Sequence, residues 1–172
     1  MTIERGAWLV AVVAGSLLLS ACSVPDAGDR AVREGRDWHW DPEAGAGEAS
    51  AFMGVAVPEG AAQVTGAVRV NPREDVYLLS FVAAESDAEG VAEGLGLWES
   101  LRALGGPAGA GEELFGHLGL AEPQSLKGAR WAGVCPPCVD DDRRENREKV
   151  QWIEIHVQAL KTDRARVYLQ AF

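Results

Sequence analysis

Two alternating runs near the C-terminus constrain the fold more than any other feature of the chain. In "VQWIEIHVQAL", Ile153, Ile155, Val157 and Ala159 fall on one face, and Trp152, Glu154, His156 and Gln158 on the other. A period of two is that of a half-buried strand. Lys161 to Arg164 is a polar turn, after which Val167, Leu169 and Ala171 alternate with Arg166, Tyr168, Gln170 and Phe172. Together these runs predict a hairpin, and with it an antiparallel sheet.

A second hairpin is expected upstream. Val64 to Val70 and Val76 to Val82 are β-branched or aliphatic runs, separated by "NPRED" with its Asn-Pro turn signal. Between the hairpins, Ser86-Asp87-Ala88-Glu89 fits a capping box, in which serine and glutamate satisfy the free amides at a helix start. Val91, Leu95, Trp98 and Leu101 then share one helical face, weakened by Gly90, Gly94 and Gly96. Gly105 to Gly111 reads as a loop, and Glu112 to Leu118 as a second short helix with Leu114, Phe115 and Leu118 on one side.

The expected fold class is therefore α+β: an antiparallel sheet of about four strands in two hairpins, with one or two helices on one face. Much of the other face is expected to meet water. Its Trp152, His156 and Tyr168 then form a candidate surface for a partner.

With 172 residues the chain suits one domain. Ser23 to Ser50 is rich in Gly, Ala and charge and has no period that buries a face, so it reads as a tether. The expected division is an export segment over 1–21, a tether over 22–50 and an α+β domain over 51–172, in which Phe52 to Gln63 is irregular or at most a short helix. Trp38-His39-Trp40, between Asp37 and Asp41, is an island that a free linker does not need. Docking onto the domain, contact with a membrane interface and stacking on a ligand all account for it, and docking is favoured. A formal net charge of -10 argues against a nucleic-acid partner, because nothing here forms a basic stripe along a phosphate backbone.

The N-terminus supplies an address. Ala7 to Leu19 is apolar or small apart from Ser16, and at about 13 residues it is too short to span a bilayer. Leu19-Ser20-Ala21-Cys22 follows, and it resembles the bacterial lipobox. The resemblance implies cleavage before Cys22, whose thiolate takes up a diacylglyceryl group. Acyl chains bury methylenes at ~0.8 kcal/mol each, so the protein would be held at the extracytoplasmic face of the cell membrane without a spanning helix.

Cys135-Pro136-Pro137-Cys138 is the other cysteine feature. A C-x-x-C spacing serves a structural disulfide, a redox pair or half a zinc site. Outside the cytoplasm the oxidised pair is the default. A thioredoxin-like reading meets departures: Trp131 stands four residues before Cys135, no convincing strand leads into the motif, and no proline follows Pro137. His39, His117 and His156 are scattered, which weakens zinc. Asp140-Asp141-Asp142 lacks the alternating ligands and glycine of a calcium loop and reads as a solvated, ion-paired turn. No nucleophile elbow or phosphate loop occurs, so no catalytic residue, metal or cofactor is expected.

"GVAVP" at Gly54 to Pro58, "VYLLSF" at Val76 to Phe81 and the terminal hairpin are similar to small lipoproteins of GC-rich Gram-positive bacteria. The scarcity of lysine, confined to Lys127, Lys149 and Lys161, fits that bias. The expected function is a lipid-anchored, non-enzymatic binding or accessory module of the cell envelope, with an unidentified envelope protein or ligand as partner. The alternative is an envelope thiol–disulfide oxidoreductase using Cys135 and Cys138.

Overall fold

The structure is a computed structural model and describes residues 38–97, 99–104, 112–138 and 149–172. Among these residues run seven strands: β1 (His39–Trp40), β2 (Ala62–Val70), β3 (Val76–Ala84), β4 (Arg102–Ala103), β5 (Arg130–Val134), β6 (Ile153–Ala159) and β7 (Arg164–Ala171). They join in one antiparallel sheet in the order β1-β2-β3-β7-β6-β5-β4. Two helices, α1 (Ala46–Met53) and α2 (Glu85–Gly94), complete the α+β fold.

Both expected hairpins form. At the β2–β3 turn, the Asn71 amide donates to Asp75 Oδ1 (2.9 Å) and the Asn71 side chain donates to the Glu74 carbonyl (2.9 Å), so polar side chains take the hydrogen bonds that the ladder gives up. At the β6–β7 turn, Thr162 and Asp163 both lie in the left-handed region, at φ 65° and 52°. They close a three-residue loop, with the Leu160 amide donating to the Arg164 carbonyl at 2.7 Å.

The sheet has seven strands where about four were expected. β1 and β4 pair over two residues each, too short to show a period, and β5 is a five-residue strand interrupted by Gly133. β5 also corrects the view that no strand leads into the cysteine motif, since it runs directly into Cys135.

The alternation of β3, β6 and β7 places Leu79, Phe81, Ile155, Val157, Val167 and Leu169 on one face, fully buried beneath α1 and α2. This layer supplies most of the core. α1 corrects the boundary drawn at residue 51, because Ala49 and Met53 are fully buried and Phe52 stacks on Tyr77 with ring centroids 3.7 Å apart. The folded part begins by Trp38. Gly66 is what lets α1 sit so low: a Cβ there would stand 2.7 Å from Ala46 Cα and 2.7 Å from the Leu78 carbonyl oxygen.

α2 also departs from expectation. It starts at Glu85, one residue before the proposed capping serine, and no side chain caps it. The Glu85 amide instead donates to the Asp163 carbonyl of the β6–β7 turn (3.0 Å), a tertiary bond in place of a local one. The helix ends at Gly94, and Leu95 turns into the core at 2% exposure. Leu101 therefore lies beyond the helix, at the entry to β4. The side chain of Trp98, the loop expected at 105–111 and Asp140 to Asp142 lie outside the described residues.

The opposite face is partly covered as well. Residues 112–126 cross it through two short 3₁₀ turns, Phe115–Leu118 and Pro123–Ser125, where a short helix was expected. Leu114 and Phe115 pack there against Val76, Leu78 and Tyr168 in a second cluster.

Candidate functional site

The candidate partner residues sit on this second face. Register places Tyr168, His156, Trp131 and Arg102 in one row across β7, β6, β5 and β4. The Arg102 guanidinium lies 4.6 Å above the Trp131 ring, and His156 Nε2 donates to Glu154 Oε1 at 2.9 Å. Tyr168 meets Phe115 edge to face at 5.2 Å. Burial, with the charge of Glu122, pushes the Tyr168 hydroxyl above its ordinary range, against the opposing effect of Arg166.

The expectation that this face meets water is corrected at its centre. His156 and Tyr168 are each only 3% exposed, and Trp152 is half-buried with its indole over Gly133. At Tyr168 the physical reason is the 112–126 segment, whose Leu114 and Phe115 pack against it.

Cys135 and Cys138 lie at disulfide distance, with Cα atoms 5.2 Å apart. The Cys138 amide donates to the Cys135 carbonyl (2.9 Å) within a 3₁₀ turn over Pro136–Cys138. Pro136 is buried and Cys138 exposed. β5, the strand before the motif, is antiparallel to both neighbours, and Pro136–Cys138 forms a 3₁₀ turn at its end. The wholly antiparallel pairing of β5 differs from the parallel strand that leads into the motif of thioredoxin-like enzymes.

The site the sequence did not assemble lies at the β1 edge of the sheet. β1 pairs with β2 so that Trp40 stands opposite Arg69. Trp40 stacks on His117, with centroids 3.9 Å apart and planes within 3°. Trp38 meets Trp40 edge-on at 6.3 Å and remains 43% exposed. The Arg69 guanidinium lies 5.4 Å from the Trp38 ring centre, and its Nη2 donates to Glu112 Oε2 at 2.8 Å. The Arg69 side chain is 11% exposed, and its Nε is buried without a hydrogen-bond partner.

These groups border an open cleft of 380 Å³, with Glu113 on the same rim. Rings, a guanidinium and two carboxylates face one space, the composition of a small-molecule site. A second cleft, of 410 Å³, lies between the end of α2, the segment up to Leu101 and Arg130 of β5, but Arg130 is already paired with Glu89 at 3.2 Å and Glu85 at 3.6 Å. Among the described residues, no three His, Cys, Asp or Glu side chains gather as a metal site, and no helix is long and apolar enough to cross a membrane. Cys22 lies outside the described residues.

No family model, curated protein or solved structure matches this chain.

Proposed function

We propose that the protein is a membrane-anchored extracytoplasmic lipoprotein whose α+β domain is a non-enzymatic binding module of the cell envelope. One observation carries the binding reading: the cleft formed by Trp38, Trp40, Arg69, Glu112 and His117, which combines exposed aromatic surface with a buried guanidinium donor that has no acceptor. Leu19-Ser20-Ala21-Cys22 supports the anchor, and a cysteine pair at disulfide distance suits an oxidising exterior.

Intact-mass analysis and membrane fractionation test the anchor. The native product is expected to begin at a diacylglyceryl-modified Cys22 and to sediment with membranes, whereas Cys22→Ser is expected in the soluble fraction. An unmodified thiol on a soluble native product would refute the anchor.

A second reading, an envelope thiol–disulfide oxidoreductase, draws on the exposure of Cys138. It requires insulin-reducing activity that disappears in Cys138→Ser. Absence of that activity in the wild type removes it.

A further inference from the structure

We infer that the Trp38–Arg69 cleft binds a neutral saccharide ring. The inference rests on reading this cleft as a binding site and is independent of the lipid anchor.

The charge pattern selects the ligand class. Glu112 and Glu113 stand exposed on the rim, so an anion directed at Arg69 meets two like charges. A cation drawn by the carboxylates and the indoles meets the Arg69 guanidinium, already positioned over Trp38. An uncharged group that both donates and accepts avoids both repulsions. Hydroxyls do so, donating to Glu112 and Glu113 and accepting from Arg69.

The hydrogen-bond deficit indicates where such a group fits. Nε and Nη2 share one edge of the guanidinium. Nη2 is held by Glu112 at 2.8 Å, while Nε beside it has no acceptor. A buried donor left unpaired is costly, and a ligand oxygen at that edge removes the cost. Trp38 is 43% exposed and lies over the guanidinium, so an outward shift of its ring would admit an oxygen to Nε while the ring receives the apolar C–H face of a sugar. Trp40 is fixed beneath it by its stack on His117 and its pairing with β2. The volume of 380 Å³ falls within the range of roughly 300–1,000 Å³ typical of small-ligand clefts.

The test is calorimetric titration of the full chain with chitotriose and maltotriose as neutral saccharides, and with choline and benzoate as cationic and anionic aromatic-site probes. Sedimentation with insoluble chitin separates recognition of a free sugar from recognition of a glycan polymer. Saturable binding of at least one trisaccharide is expected, weakened about tenfold in Trp38→Ala and within about threefold of wild type in Trp38→Phe. Trp38 is exposed, so an unchanged melting temperature is expected to accompany the loss. Trisaccharide binding that Trp38→Ala leaves intact overturns the assignment. Saturable binding of choline or benzoate with no saccharide binding overturns the ligand class but leaves a binding cleft, whereas no binding of any probe overturns the cleft reading as well.

Discussion

The indole of Trp152 lies across Gly133, so close that a Cβ built on the glycine would fall inside the ring's van der Waals boundary. This contact connects the loop before β6 to the middle of β5. Gly133→Ala is expected to lose about 1–3 kcal/mol in chemical denaturation through overpacking. Because the clash involves a side chain, Trp152→Ala should relieve most of it, and the double variant should cost less than the two single changes added together. Strict additivity would mean that the two residues do not touch.

The chain's two tyrosines report on pH. Burial raises the Tyr77 hydroxyl above its ordinary value of 10.0, helped by Asp75 and Glu48, and burial raises Tyr168 as well. Both groups bind their protons more tightly in the folded state than in the unfolded chain. Their contribution to stability is therefore complete below about pH 10 and is lost as pH rises through the folded-state values. A phenolate absorbance titration is expected to show neither tyrosine ionising at its ordinary value. Tyr168→Phe should flatten the decline in denaturation midpoint measured between about pH 9 and 11.

Thr162 and Asp163 hold left-handed backbone without being glycine. For a residue with a Cβ this costs roughly 1–2 kcal/mol, and asparagine and glycine enter that region more readily. Thr162→Asn combined with Asp163→Gly is expected to stabilise the protein by about 1 kcal/mol, read as a higher melting temperature. The contact from Glu85 is preserved because it uses the Asp163 carbonyl rather than the side chain. A lower melting temperature would contradict the turn geometry.

The cysteine pair encloses a very short loop. On the chain-entropy account, closing it stabilises by about 2 kcal/mol at most. The double variant Cys135→Ser, Cys138→Ser is expected to remain folded, with a near-ultraviolet circular dichroism spectrum close to that of wild type. Global unfolding in that variant would make the bridge a condition of folding.

Met53→Ala and Phe115→Ala probe the two faces of the sheet. Both side chains are essentially buried, at 0% and 1% exposure, so each change is expected to cost about 2–5 kcal/mol. A negligible effect at Met53 would return α1 to the tether.

The C-terminal hairpin was legible in the sequence because Ile153, Ile155 and Val157, like Val167 and Leu169, repeat every second residue on a face that is then buried, and the first hairpin because two β-branched or aliphatic runs flank the Asn71-Pro72 turn. β1 and β4 were not, since two residues carry no period. Arg130 to Val134 concealed itself through Gly133, whose missing side chain makes room for Trp152, far along the chain. The start of α2 was misplaced because its first amide is satisfied by Asp163, far along the chain, where a local rule looks only a few residues ahead. In the cleft, Trp38 and Trp40 announced themselves as an aromatic island that a tether did not need. Arg69, Glu112 and His117 did not, because only tertiary folding brings the β2 edge and the 112–117 turn beside them.

The order of strands sets a condition on how this protein matures. β7 occupies the middle of the sheet although it comes last of the seven along the chain, with β3 on one side and β6 on the other. A nascent polypeptide that lacks Arg164–Ala171 has two separate sheet fragments and no strand to join them. Such a chain leaves both fragments with an unpaired edge until its final strand slots between them and closes the sheet.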